Sequence, residues 1–178
     1  MYVIPEKKFA FIASPRTGSK AVRDALLSRG ATLVGSHHTT PGDNPEVELD
    51  KDWTICTTVR NHWDAMISWY FKIERKERAM MPLREFLPRF CEDNPNFVRD
   101  GRLWWYGDGW VNTYLRYECL QADFDLALVK AGMASLDLPR VIDSKRGGRP
   151  YQVFYKRDTA RWVATYFGAE IRKLGYKF

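Results

Sequence analysis

The strongest constraint on this chain lies near its N-terminus, where the hydrophobic period changes abruptly. Lys8 to Ala13 (KFAFIA) is a short apolar run with the length of a buried strand. Ser14 to Gly18 (SPRTG) then reads as a loop. From Ser19 the apolar residues Ala21, Val22, Ala25 and Leu26 fall on one helical face, and Gly30 is placed to end the helix. The switch recurs further on. Trp53, Ile55, Thr57 and Val59 alternate as in a strand, and Trp63, Met66, Ile67, Tyr70 and Phe71 follow at helical spacing. Strands that alternate with helices predict an α/β sheet with helices on its faces. In such sheets ligands bind at the carboxyl ends of the strands. The two strand-to-helix junctions, Ser14 to Lys20 and Arg60 to Asp64, are therefore the places to look for chemistry.

The remaining segments read as follows. Thr32 to Val34 is a short strand and Gly42 to Lys51 a loop. Lys72 to Arg78 interleaves both signs of charge, as a solvated helix face does. Leu83, Phe86, Leu87 and Phe90 predict a helix that Pro88 kinks or ends. A Gly-Asp-Gly turn sits among Trp104, Trp105, Tyr106 and Trp110, and Val111 to Tyr117 reads as a strand. Asp123 is placed to cap a helix running to Gly132, and Asp158 to cap a last helix. That last helix turns Val163, Phe167, Ile171 and Leu174 inward and ends at Gly175.

The 178 residues, free of repeats and linkers, fit one domain over 1–178. A net charge of +6 favours anionic partners without choosing among them. Cys56, Cys91 and Cys119 lie far apart with no C-x-x-C pair, which argues against a disulfide framework or a metal site. No apolar run approaches a membrane span, and Met1 to Lys8 has no signal-peptide core. A cytoplasmic protein without a membrane partner is the expectation.

At the first junction, Gly18 allows the backbone close to an anion, and the helix start offers free N–H groups and a favourable dipole. Thr17 and Ser19 add hydroxyls, and Arg16 and Lys20 add positive charge. The same residues also describe an ordinary helix start with incidental basic neighbours. The nucleotide-kinase pattern G-x-x-x-x-G-K-[ST] fails, because Lys20 is not adjacent to Gly18 and Ala13 stands where the first glycine belongs. At the second junction, Arg60 ends a strand and Ser68 lies about two helical turns later. An arginine fork with a hydroxyl holds a phosphate; an arginine paired with Asp64 is the alternative.

Together these junctions resemble the sulfotransferase superfamily. Its P-[KR]-[ST]-G-[ST] loop is matched by Pro15-Arg16-Thr17-Gly18-Ser19. Its V-R-N-P-x-D-x-x-x-S-x-Y segment is matched by Val59-Arg60-Asn61-His62-Trp63-Asp64 with Ser68 and Tyr70. Gly35-Ser36-His37-His38-Thr39 is similar to the G-x-H-x-T segment of small bacterial-type members. Tyr117-Glu118-Cys119-Leu120 with Asp123-Phe124, and the closing Gly175-Tyr176, continue the likeness in order. The chain departs from the family at Arg16 (usually Lys), Lys20 (usually Ser or Thr) and His62 (usually Pro).

The resemblance implies a P-loop-NTPase-like parallel sheet flanked by helices, of sulfotransferase type. It also implies a donor, 3'-phosphoadenosine-5'-phosphosulfate (PAPS), with 3'-phosphoadenosine-5'-phosphate (PAP) as product. On the matched positions, Arg16, Thr17, Gly18, Ser19, Lys20 and Ala21 face the 5'-phosphosulfate end, and Arg60 and Ser68 face the 3'-phosphate. Lys145, Arg146 and Gly147 are similar to a basic loop that closes over that phosphate; a solvated basic loop is the other reading. The implied chemistry is in-line displacement at sulfur by an acceptor hydroxyl, with a carbohydrate acceptor and no nucleic-acid partner. It needs a base and positive charge at the leaving oxygen. His37 is the expected base with His38 beside it, since imidazole suits neutral pH, and Arg16 stabilises charge. Both histidines also fit an ordinary loop. A magnesium-dependent phosphotransferase and an inactive PAP- or polyanion-binding module are the competing expectations.

Overall fold

The computed structural model describes residues 1–43, 48–77, 81–103, 109–139 and 146–178, the side chains of 74–77 excepted. In chain order its elements are β1 (Tyr2–Ile4), β2 (Phe9–Ile12), α1 (Ser19–Ser28), β3 (Thr32–Leu33) and β4 (Thr54–Val59). They continue with α2 (His62–Glu77), α3 (Leu83–Asp93), β5 (Thr113–Arg116), α4 (Leu120–Lys130), α5 (Arg157–Tyr166) and α6 (Gly168–Leu174). The chain divides into two compact units, Met1–Val59 with Tyr106–Val141, and Arg60–Trp105 with Ile142–Phe178. No helix among the described residues is long and apolar enough to cross a membrane.

The first unit is α/β. Its five-stranded sheet has the order β3-β1-β2-β4-β5. β2, β4 and β5 are parallel, with Ile12 opposite Thr57 and Val59 opposite Arg116. β1 runs antiparallel to both β2 and β3, so the sheet is mixed rather than all parallel. The reason is length. Only Pro5–Lys7 and Lys8 separate β1 from β2, and so short a link reverses the chain; a parallel crossover needs a dozen residues or more. Lys8 makes the reversal at φ 45°.

Side chains two apart on a strand share a face. Phe9 and Phe11 thus point together into a cluster with Val22, Ala25 and Leu26 of α1 and Phe124, Ala127 and Leu128 of α4. Each large apolar side chain fully buried there contributes roughly 1.5–3 kcal/mol. Asp123 does not cap α4, which already begins at Leu120. Its carboxylate instead accepts from the backbone N–H and both sides of the guanidinium fork of Arg116, at 2.7–2.8 Å. The Arg116 bond holds that carboxyl below the usual carboxylate range. It fastens the end of β5 to α4.

The second unit is helical, and its interior is aromatic. Trp69 meets Phe90 and Phe97 at ring separations of 5.1 and 5.0 Å, Tyr70 meets Phe86 at 5.1 Å, and Phe71 meets Phe154 at 5.0 Å. Pro88 neither ends α3 nor stops its burial pattern, since Phe90 and Cys91 lie buried beyond it. Proline removes the bond to the carbonyl four residues back, here exposed Arg84, where water can replace it. The closing helix is two helices, broken at Phe167, with Gly175 in the left-handed conformation at its end. Asp158 lies in the first turn of α5, and Lys156 takes the cap position.

Burial separates the thiols. Cys56 and Cys91 are buried and Cys119 is exposed. Desolvation raises the Cys56 thiol far above its usual range and pushes Cys91 up to about 12. In the folded protein a thiol reagent at pH 8 is expected to titrate Cys119 alone, with Cys56 and Cys91 reacting only after denaturant is added. Fast reaction at either buried position would contradict this packing.

Candidate functional site

The Ser14–Lys20 loop leaves the carboxyl end of β2, beside the carboxyl end of parallel β4. Its hydroxyls build it. Thr57 Oγ1 donates to the Ile12 carbonyl at 2.8 Å, so its lone proton is spent, and Ser14 donates to Thr57 at 2.7 Å. Thr17 Oγ1 donates to the Ser14 carbonyl at 2.8 Å and receives the Thr58 hydroxyl at 2.5 Å. Ser19 Oγ donates to the same Ser14 carbonyl at 2.5 Å. Ser14, Thr17, Thr57 and Thr58 are fully buried. Thr17 and Ser19 therefore point their protons into the loop, not toward a ligand.

What the loop presents outward is backbone and charge. Arg16 and Gly18 hold positive φ, 65° and 79°. Gly18 is the N-cap of α1, with no side chain capping the helix. Residues 15–18 form a hydrogen-bonded turn that runs directly into α1. Successive N–H groups at a helix start form an anion-binding concavity. Lys20 is exposed, Arg16 half-buried, and Ala21 buried in the core.

A Cβ added to Gly18 would meet Leu120 Cδ2 at 2.9 Å and the Tyr117 ring at 3.0 Å. Gly18→Ala is expected to cost about 1–2 kcal/mol from the left-handed conformation alone, and more where Leu120 cannot move aside. Urea unfolding measures the loss. An unchanged midpoint would mean that the turn is not held as described.

The Gly35–Thr39 segment belongs to the same unit. Gly35 takes φ 64°, and buried Thr39 accepts from the Ser36 N–H at 2.7 Å, closing a turn that presents two exposed histidines. They differ in their anchors. His38 Nδ1 lies 2.6 Å from the Ala13 carbonyl, so Nδ1 carries the proton and the neutral ring keeps its lone pair on Nε2. His37 Nδ1 bonds the Tyr2 hydroxyl, with the two rings stacked at 5.9 Å. Burial pushes the Tyr2 phenol up, and as a hydroxyl it is able either to donate to His37 Nδ1 or to accept from it. Of the two rings, only His38 has its tautomer fixed by a carbonyl, that of Ala13 just before the loop.

The second junction is described in its own unit. Asn61 Oδ1 accepts from the Trp63 N–H at 3.1 Å, capping α2, and Asn61 Nδ2 donates to the Lys177 carbonyl at 2.8 Å. His62 is a core residue: it is fully buried, and Nε2 lies 2.8 Å from Glu170 Oε2, which also accepts from the Leu103 N–H at 2.7 Å. Arg60 Nε lies 2.8 Å from Asp64 Oδ2, and Arg146 bonds the other oxygen, Oδ1. Two guanidiniums thus share one buried carboxylate. The Asp64 pairing that stood as the alternative for Arg60 is present, but with a second cation.

Ser68 lies one turn beyond Asp64 on the same face of α2, half-buried. Gly147 follows Arg146 at φ 64° in an exposed turn. Lys145, Trp104, Trp105 and Tyr106 lie outside the described residues.

The meeting of Arg146 with Asp64, 82 residues apart, left no local trace in the sequence. Nor did the Tyr117 and Leu120 side chains over Gly18. Thr57 and Thr58 did leave one, as adjacent hydroxyls near the carboxyl end of a buried strand. Compared with protein-family models, with curated proteins and with solved structures, the chain matches none.

Proposed function

We propose that this protein is a sulfotransferase that moves the sulfuryl group of PAPS to an acceptor hydroxyl. The observation that carries this reading is the Ser14–Lys20 turn, which sets the start of α1 with Lys20 and Arg16 at the carboxyl edge of parallel strands, with His38 bonded to Ala13 just before it. The ordered motif resemblance supplies the choice of sulfuryl over phosphoryl transfer, together with a sulfotransferase-type, P-loop-like fold.

In the proposed reaction the acceptor oxygen attacks sulfur in line while the bond from sulfur to the bridging phosphate oxygen breaks. The acceptor proton goes to His38 Nε2, and PAP leaves with the bonding electron pair. The positive end of the α1 dipole, with Arg16 and Lys20, offsets the charge gathering on the leaving phosphate. Arginine keeps its proton, so Arg16 works by charge alone. The resemblance gives the 3'-phosphate to Arg60 and Ser68, and within their own unit Asp64 holds Arg146 beside Arg60. A saccharide hydroxyl is the acceptor the resemblance favours.

Thermal-shift measurements with PAP, PAPS, ATP and AMP test the donor, because a ligand bound only to the folded state raises its stability. PAP and PAPS are expected to raise the melting temperature well above any effect of AMP, without magnesium. Equal shifts for PAP and AMP would overturn the reading. A magnesium-dependent shift by ATP alone would favour a phosphotransferase.

A further inference from the structure

A cavity of about 280 Å³ opens in the first unit, beneath the segment that follows α4. Its walls are Ile4, Leu26, Leu128, Met133 and Leu136, and Lys7 and Arg29 stand at it as well. β2 begins at Phe9 and runs toward Ser14, so Ile4 and Lys7, which precede it, place this cavity at the opposite end of the parallel strands from the Ser14–Lys20 loop. The two cations are exposed, and among the described residues neither pairs with a carboxylate. Lys7 donates to the Gly132 carbonyl at 3.5 Å and Arg29 to the Ser135 carbonyl at 3.2 Å. An ammonium has three donors and a guanidinium five, so each keeps donors for another acceptor.

An apolar cavity with converging polar groups is the usual form of a small-molecule site. Here the walls ask for hydrocarbon, and the two spare cationic heads ask for an anion. We infer that this cavity binds a small apolar carboxylate, its chain against Leu26, Leu128, Met133 and Leu136 and its head between Lys7 and Arg29. A guanidinium fork matches a carboxylate in two bonds. The inference does not depend on sulfuryl transfer.

The test compares octanoate, octanol and octyltrimethylammonium by calorimetry and thermal shift on the full chain. Octanoate is expected to bind saturably, with octanol about tenfold weaker or more, the difference that charged hydrogen bonds supply, and with no binding of the cation. The double variant Lys7→Ala, Arg29→Ala changes only exposed side chains. It is expected to melt like the parent and to bind octanoate no better than octanol. Ala134→Trp, at the cavity wall, is expected to abolish both. Equal affinities for octanoate and octanol, octanoate affinity kept in the double variant, or no saturable binding at all would overturn the inference. A PAP shift measured in the same samples reports the sulfotransferase reading separately.

Discussion

Replacing Asp64 with alanine is expected to destabilise the protein by about 3–5 kcal/mol, the usual cost of stripping the partner from a buried charge. Asp64 and Arg60 have side chains only 8% and 9% exposed, so solvent cannot stand in for either. The loss is compounded because Arg146 uses the other oxygen of the same carboxylate. Removing it takes the shared carboxylate from both guanidiniums at once. Asp64→Asn keeps the volume and one acceptor oxygen, and its stability is expected to fall between the parent and Asp64→Ala. Urea unfolding of the three proteins measures the order.

The same substitution separates a structural triad from an anion grip. If Arg60 and Arg146 hold a phosphate, then PAP restores the missing negative charge. Its stabilising increment should be larger in Asp64→Ala than in the parent. If the variant is destabilised and PAP gives it no more than it gives the parent, the triad only holds the helical unit together, and the 3'-phosphate role of Arg60 and Arg146 fails.

Local physics made part of this fold legible. The switch from an apolar run to helical spacing at Ser19, and again at His62, is a property of neighbouring residues, and both helices begin where that spacing begins. The alternation from Thr54 to Val59 likewise marks β4. Tyr2–Ile4 escaped notice because three residues are too few to show a period, and their pairing is set by a tight reversal at Lys8.

Asp123 and Asp158 carried the chemistry of helix caps and lay near helix starts, yet a cap needs a position as well as a side chain. Asp123 found a stronger partner in Arg116. At the first loop the residue types were legible and their directions were not. Nothing in the order Thr-Gly-Ser says that both hydroxyls turn inward to the Ser14 carbonyl, because that choice depends on Thr58 of the neighbouring strand and on the turn at Arg16. Likewise His37 and His38 are equivalent in the sequence. What distinguishes them is Tyr2 on one side and the Ala13 carbonyl on the other, both set by pairing across the sheet.

That distinction carries the second large expectation. His38→Ala should lower turnover by roughly a hundredfold or more, as loss of a general base does, while PAP affinity stays near that of the parent. His37→Ala, which removes a ring stacked on Tyr2 rather than the proposed base, should leave turnover within a few-fold.

A fall in rate alone would not separate proton transfer from support of the loop, because His38 also bonds the Ala13 carbonyl. His38→Asn resolves this: its amide nitrogen can keep that bond, but an amide cannot take a proton from the acceptor. If proton transfer is the role, Asn is as slow as Ala, and free imidazole in the buffer restores part of the rate to Ala. If support of the loop is the role, Asn works nearly as well as histidine and imidazole restores nothing. Full activity in His38→Ala with loss in His37→Ala would return the base to His37 and overturn the reading drawn from the two ring nitrogens.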